Sequence, residues 1–231
     1  MMKYSAVFAG FLLLLLGSCS TMQPRERFIV SPRSPSYPAD TVEAQTDALS
    51  AGGVQKREVI VSYYPDEDAV CLEYRANFVT YYQFWSRAGR ETFKTALERY
   101  KEDYEQRNLN TKGGRKERRV YGTVHGYLWW QVMQRRISIV SETARAPVEV
   151  DIGYSFKGRS LSRTPYFTVT QNEAEYDNRE LIGRTIKSVR VMLYFTRAQA
   201  EELAALFDQE YLLGLTETKA KGSGPADVDE Y

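Results

Sequence analysis

The sequence predicts an α+β domain, in which a mostly antiparallel sheet of about six to seven strands carries two helices packed on one face. The chain of 231 residues contains 43% hydrophobic and 13% aromatic residues, enough for one sizeable core. Several segments alternate apolar and polar residues with period two, and two others repeat apolar residues with the period of a helix. A barrel-like sheet with helices is the alternative.

Seven segments have the alternation and the β-branched or aromatic content of strands. These segments are Val59 to Tyr64, Val70 to Phe78, Val120 to Met133, Ile137 to Ser141, Val148 to Phe156, Tyr166 to Gln171 and Thr185 to Phe195. In the second segment, Cys71 falls on the more polar face. The polar stretch between the fifth and sixth segments predicts a hairpin loop.

Two helices are expected, each directly after a strand. Ser86 is the expected N-cap of the first helix, which runs to about Gln106. Thr196 and Gln199 have the spacing of a capping box at the start of the last helix. The apolar face of that helix contains Leu203, Leu206, Phe207 and Tyr211.

The two junctions between strand and helix resemble each other. Residues 84–91 and 194–201 share an aromatic pair, a capping residue, Arg, Ala and Glu at matching positions. Convergence on a favourable junction explains this match, and so does duplication of a unit of two strands and a helix. Both explanations predict that the helices leave equivalent strand ends and pack side by side.

The first twenty residues have the build of a secretory signal peptide. One charge, Lys3, precedes the apolar run from Ala6 to Leu16. This run is too short to cross a bilayer, which takes about 20 apolar residues. Two small residues, Gly17 and Ser18, then lead to Cys19.

The segment Leu16-Gly17-Ser18-Cys19 resembles the lipobox of bacterial lipoprotein precursors. The resemblance covers about the first 20 residues and implies nothing about activity. It implies that signal peptidase II recognises Leu16, Gly17 and Ser18 and cuts before Cys19. It also implies a diacylglycerol group on the Cys19 thiol and a fatty acid such as palmitate on the new amino group. The implied location is the bacterial cell envelope, on the outer membrane or on the outer leaflet of the inner membrane.

Charge supports attachment through lipid. The chain has 31 basic and 30 acidic residues, and removal of residues 1–18 takes away only the basic Lys3. The mature chain is then neutral, so anionic lipid attracts it little and attachment depends on Cys19. Neutrality also argues against a nucleic-acid partner, which would require a basic face.

The expected domain organisation has four parts. Residues 1–18 form the signal peptide, and residues 19–56 form a tether that begins with the lipidated cysteine and is rich in proline. Residues 57–213 form the single α+β domain, and residues 214–231 form a disordered tail. Within the tether, Phe28 to Val30 is a short apolar segment that could dock onto the domain.

The sequence predicts neither a metal site nor a cofactor. With Cys19 lipidated, Cys71 has no partner for a disulfide within the chain, and a buried, inert thiol is expected. His125 is the one histidine, so a structural zinc site lacks ligands. We expect His125 to be a core or edge residue of its strand.

No catalytic motif is found, and we expect a protein that is not an enzyme. The sequence around Ser155 lacks the second glycine of a nucleophile elbow. The acidic residues Glu173, Glu175, Asp177 and Glu180 are expected to form a solvated loop, although a pair of carboxylates could serve a hydrolase. The basic residues 112–119 are expected to form a solvated turn.

Aromatic residues are the remaining candidates for a binding surface. Trp85, Trp129 and Trp130 could contact sugar, peptide or lipid, although aromatic residues at strand spacing are more often core. The predicted function is therefore that of a binding or scaffolding module, anchored through its lipid, with an envelope protein or small ligand as partner. The alternatives are an envelope hydrolase with paired carboxylates and a carrier of a small apolar ligand.

Overall fold

The computed structural model describes residues 34–47, 54–76, 78–109, 119–132, 142–157, 164–179 and 183–222. The strands are β1 (Tyr37–Asp47), β2 (Val54–Tyr64), β3 (Ala69–Ala76), β4 (Val79–Ser86), β5 (Arg119–Val132), β6 (Glu142–Lys157), β7 (Thr164–Gln171), β8 (Glu175–Asn178), β9 (Arg184–Lys187) and β10 (Val191–Phe195). The helices are α1 (Arg87–Glu105), α2 (Arg197–Ala205) and α3 (Gln209–Gly222), with a 3₁₀ turn at Pro65–Glu67.

Eight strands pair into a closed barrel in the order β1-β10-β7-β6-β5-β4-β3-β2. Every pairing is antiparallel, and the ring closes where Gln45 and Thr46 of β1 lie opposite Tyr194 and Leu193 of β10. The predicted antiparallel sheet is confirmed, whereas the predicted number of strands is wrong. The closed ring corresponds to the barrel-like alternative. We call it the closed sheet and distinguish its inner and outer faces.

The predicted and observed strands differ at two places in the C-terminal half of the chain. The predicted strand from Thr185 to Phe195 is interrupted by residues 188–190, so β9 pairs with β8 in a separate hairpin and only β10 joins the closed sheet. The expected strand from Ile137 to Ser141 lies outside the described residues.

The predicted tether over residues 19–56 is wrong from Tyr37 onward, because this part of the chain forms β1 and the start of β2. Val42, Ala44 and Thr46 are buried and alternate with exposed or half-buried residues, the pattern of a strand with one face in a core. Pro38 is tolerated because it lies at the beginning of the strand, where the register with β2 shifts.

The inner face is filled by large side chains, and the helices complete the same core at the end where β4 and β10 terminate. Phe93 of α1 packs against Trp85 of β4 and Phe167 of β7, with ring centroids 5.8 and 5.3 Å apart. The hydroxyl of Tyr100 donates to the carbonyl oxygen of Pro165, 3.3 Å away. These contacts join both sides of the closed sheet to one helix.

The expected pairing of the two helices is confirmed. Lys101 of α1 lies 3.4 Å from Glu201 of α2, and the Arg197 guanidinium lies 5.4 Å from the ring centre of Tyr104. The capping box of α2 is also confirmed, because Thr196 Oγ1 accepts from the Gln199 amide and Gln199 Oε1 accepts from the Thr196 amide. Ser86 occupies the N-cap position of α1 but makes no capping hydrogen bond with its side chain.

The predicted end of the domain at residue 213 is also wrong, because α3 continues through Gly222. The single last helix that the sequence predicted is two helices. Asp208 separates them, since its Oδ1 accepts hydrogen bonds from the amides of Glu210 and Tyr211 at 3.0 and 3.2 Å. Leu212 is fully buried and attaches α3 to the core.

A buried arginine connects α1 with the turn before β3 and with α3. Arg90 is inaccessible to solvent, and its guanidinium donates to the Asp68 carboxylate, to the Asp68 carbonyl oxygen and to Gln209 Oε1 at 2.7 to 2.8 Å. A buried charge must be paired and hydrogen-bonded to be tolerated. This network therefore fixes how the helices meet the end of the closed sheet.

Candidate functional site

The three tryptophans that the sequence proposed as one surface lie on two different faces. Trp85 and Trp130 are 0% and 3% exposed and belong to the main core on the inner face. Trp129 points to the outer face, because successive residues of a strand alternate. The proposed surface of Trp85, Trp129 and Trp130 is therefore wrong for two of its members.

Trp129 belongs instead to a group of aromatic residues on the outer face of β2 to β5. We call this group, formed by Tyr64, Tyr82, Phe84, Tyr127 and Trp129, the outer aromatic cluster. Tyr82 lies opposite Trp129, and Phe84 lies opposite Tyr127 in the β4–β5 register. The Phe84 ring centre is 4.7 Å from that of Trp129 and 5.4 Å from that of Tyr64.

The floor of the cluster is apolar and closed to solvent. Ala69, Cys71 and Phe84 are at most 3% exposed, whereas the other four rings are half-buried. Burial raises the pKa of the Cys71 thiol well above its usual value, so the expected inert thiol is supported by its surroundings. The alternation correctly assigned Cys71 to the face opposite the core, but that face is covered by aromatic rings there.

The strands beneath the cluster approach each other closely at one glycine. A Cβ on Gly126 would lie 2.6 Å from the carbonyl oxygen of Phe84 and 3.3 Å from the Trp85 ring. Only glycine leaves this space free. It allows β4 and β5 to come together and places Phe84 beside Trp129.

Charged groups border the cluster. The Arg145 guanidinium of β6 lies 4.7 Å from the Trp129 ring centre, a cation–π contact. Glu73 of β3 lies opposite Tyr82, and burial raises the pKa of its carboxyl. Burial likewise raises the pKa of Tyr82 and Tyr127.

One polar atom of the cluster stands out. The indole Nε1 of Trp129 has no solvent access and no hydrogen-bond partner among the described residues. A buried donor without an acceptor costs about 1 to 3 kcal/mol, and natural proteins satisfy nearly all such groups. The indole Nε1 of Trp85 in the main core is likewise buried and without a partner among the described residues.

The N-terminal part of the described chain contacts the margin of the cluster. The side chain of Ser34 donates to the Glu67 carboxylate, and Glu67 lies close enough to Tyr64 to add to the effect of burial in raising the pKa of the Tyr64 hydroxyl. The first described residues therefore lie near the Tyr64 end of the cluster.

The lipobox residues Leu16, Gly17, Ser18 and Cys19 lie outside the described residues, so lipidation and signal cleavage remain predictions. In the described ranges, no helix combines the length with the apolar character that crossing a membrane requires.

Of the four acidic residues expected in one loop, Glu175 and Asp177 lie on β8, whereas Glu173 lies in the irregular segment before it. Arg179 donates to both oxygens of Asp177, which lowers the pKa of that carboxyl to about 2. A general acid needs a raised pKa, so Asp177 is unsuited to that role. Glu175 forms an ion pair with Lys187, and Glu180 lies outside the described residues.

The other residues that the sequence offered as candidates do not form a catalytic or metal-binding group in the described part of the chain. The His125 side chain is 70% exposed and lies 3.7 Å from Glu149, so it is not a core residue. Arg119, the described end of the basic loop, pairs with Asp103 at 2.8 Å beside a shallow polar pocket of about 270 Å³. Across the ranges that the structure describes, no three His, Cys, Asp or Glu side chains group as metal ligands would.

The sequence did not single out Tyr64, Tyr82, Phe84 and Tyr127. A signal was present, because positions 82 and 84 and positions 127 and 129 are aromatic at every second residue in adjacent strands. Recognising it required the register between β4 and β5.

The fold and this surface define a small domain, an antiparallel closed sheet with helices over one end and an aromatic cluster outside it. The chain belongs to a bacterial family described as "Uncharacterised Treponema protein", which matches residues 33–214. This range begins before β1 and ends within α3. No curated protein and no solved structure matches the chain.

Proposed function

We propose that this protein is a lipid-anchored lipoprotein of the bacterial envelope whose closed sheet is a binding module. Its contact surface is the outer aromatic cluster, and its ligand is an extended polypeptide segment carrying apolar side chains. The observation that carries the proposal is the set of half-buried rings of Tyr64, Tyr82, Tyr127 and Trp129 around the buried Phe84. Aromatic residues are the commonest energetic anchors of protein interfaces.

A polypeptide fits this surface better than a sugar for two reasons. Its apolar side chains would pack against the half-buried rings, and its backbone groups would hydrogen-bond the tyrosine hydroxyls of the cluster. A closed sheet offers no free edge for strand addition, so the ligand must lie across the face.

The lipid on Cys19 would hold this module at the membrane. With β1 starting at Tyr37, the tether comprises residues 19–36. As a random coil its root-mean-square length is roughly 23 Å, so the domain would remain close to the bilayer surface.

A displayed library of random twelve-residue peptides, selected on the immobilised full-length protein, tests the binding proposal. We expect selected peptides to carry apolar residues and to lose at least about tenfold in affinity on Trp129→Ala. Tyr211→Ala is the control, since Tyr211 is an exposed aromatic residue of α3 outside the cluster. Selected peptides that bind equally well to the Trp129→Ala variant would refute the proposal.

A further inference from the structure

One carboxylate lies among the rings of the outer aromatic cluster. Glu73 of β3 is half-buried and lies opposite Tyr82 of β4 on one side and opposite Ile60 of β2, which is 38% exposed, on the other. Burial raises the pKa of Tyr64, Tyr82 and Cys71, and the nearby charge of Glu73 raises each of them further. The carboxylate is therefore close to two rings and to the floor of the cluster.

Within the described part of the chain, no basic group neutralises this carboxylate. Glu73 forms no hydrogen bond or ion pair there, and Arg75, exposed two residues further along the same face of β3, does not pair with it. The oxygens of Glu73, unlike Trp129 Nε1, are not closed off from solvent, so a ligand on the surface can reach them. A half-buried charge without a counter-charge costs free energy, which a bound cation would recover.

The other end of the cluster carries a positive charge. Tyr82, opposite Glu73, also lies opposite Trp129. Trp129 in turn lies opposite Arg145, whose guanidinium is 4.7 Å from the Trp129 ring centre. Arg145 would repel a second cation at Trp129, whereas Glu73 would attract one at the far side of Tyr82. The surface therefore fits a ligand whose positive group lies at the Glu73 end.

A basic side chain suits the Glu73 end better than a quaternary ammonium group does. Faces of aromatic rings attract any of these cations. A lysine ammonium or arginine guanidinium can also donate hydrogen bonds to the Glu73 carboxylate and to the tyrosine hydroxyls, which a quaternary ammonium cannot. The unpaired carboxylate thus favours a side chain of a polypeptide over a lipid headgroup of that kind.

We infer that the polypeptide bound at the outer aromatic cluster places a lysine or arginine side chain on Glu73, beside Tyr64 and Tyr82, and an apolar side chain two positions away against Trp129. Glu73 and Trp129 are two strand spacings apart, roughly 10 Å, and alternate residues of an extended chain are about 7 Å apart. The long basic side chain spans the difference. This inference rests on the proposed function, because it specifies which polypeptide the same surface selects.

The test uses the peptides selected from the random library on the wild-type protein. We expect them to share a basic residue two positions from an apolar one. They should lose about tenfold in affinity on Glu73→Gln, which keeps the shape of the side chain and removes its charge. Glu149→Gln is the matched control and should bind as the wild type does, since Glu149 is an exposed carboxylate on the outer face of β6 outside the cluster.

A change in the peptide tests the same pair from the other side. Norleucine in place of its lysine, or citrulline in place of its arginine, should cost about tenfold in affinity for the wild type. The same change should cost the Glu73→Gln variant little, because both changes remove one interaction. Raising the salt concentration should weaken binding to the wild type more than binding to this variant. The measurement on the wild type holds even where a variant is less stable.

The inference and the proposed function fail in different ways. Peptides that require Trp129 but bind the wild type and the Glu73→Gln variant equally well would overturn the inference and leave the proposed function standing. Peptides that require Trp129 but share no basic residue would have the same consequence. Peptides that bind independently of Trp129, or a library that yields no binder, would refute the proposed function, and the inference with it.

Discussion

The hydroxyl of Tyr74 on β3 donates a hydrogen bond to Gln171 Oε1 on β7 across the inside of the closed sheet. The two strands lie on opposite sides of the ring, and the residues are 97 positions apart in sequence. The Gln171 amide nitrogen in turn donates to the carbonyl oxygen of Val189, 3.0 Å away. One buried side-chain amide therefore joins β3, β7 and the segment before β10.

Tyr74→Phe should lower the free energy of unfolding by about 1 to 3 kcal/mol, because it leaves a buried acceptor on Gln171 unsatisfied while keeping the ring. Urea unfolding measures this change. Tyr104→Phe is the control, because Tyr104 is 42% exposed. Equal stability of the two variants would show that the bond across the sheet contributes nothing.

Thr196→Ala should cost about 1 kcal/mol, since it removes one of the two hydrogen bonds of the capping box on α2. Ser86→Ala should cost only a few tenths of a kcal/mol, because the Ser86 side chain does not cap α1. The two variants are compared by thermal unfolding. A lower melting temperature for the Ser86→Ala variant than for the Thr196→Ala variant would contradict the assigned caps.

Stability should fall in alkaline solution. Burial raises the pKa of Tyr81 from 10.0 to about 12, so the folded protein retains a proton that the unfolded chain loses. The stabilisation is complete below pH 10 and is lost as the pH rises towards 12. Between pH 9 and pH 11, Tyr81→Phe should therefore lose less stability than the wild type in urea titrations, whereas Tyr104→Phe should follow the wild type. If the Tyr81→Phe variant lost as much stability as the wild type between pH 9 and pH 11, burial of Tyr81 would not be the cause of the alkaline destabilisation.

Cys19→Ala should prevent lipidation and signal peptidase II cleavage. The neutral mature chain then has no charge to hold it at the bilayer, so an unprocessed precursor or a released species is expected. Metabolic labelling with a fatty acid and cell fractionation measure both effects. Cys71→Ala is the control and should be labelled normally, because this thiol is buried. A wild type that takes up no label would disprove the lipoprotein assignment.

Local sequence patterns correctly predicted those elements whose alternation or capping residues are unambiguous. Val148, Val150 and Ile152 alternate without interruption and form β6, and Thr196 with Gln199 marked the start of α2. β1 was missed because Pro38 and the prolines that precede the strand suggested a tether, although Val42, Ala44 and Thr46 already had strand alternation. A short strand signal next to prolines does not indicate whether a partner strand exists.

The outer aromatic cluster could not be predicted from the pattern within any single strand. Alternation within β5 separates Trp129 from Trp130, but it does not say which face is inside. The pairing of Tyr82 with Trp129 is a relation between two strands joined through α1 and an intervening loop. Ring closure, set by β1 and β10 at opposite ends of the chain, then decides that the cluster lies outside.

Photocrosslinking in intact cells tests the central claim most directly. A benzophenone amino acid in place of Tyr127, within the outer aromatic cluster of the full-length chain, should form adducts with a second protein. The same group in place of His125, which is exposed on the same face of β5, should not, and Trp129→Ala should abolish the adducts at position 127. Mass spectrometry of the crosslinked peptides identifies the partner. Crosslinks at position 127 that go only to lipid or glycan, or that persist without Trp129, would contradict the account.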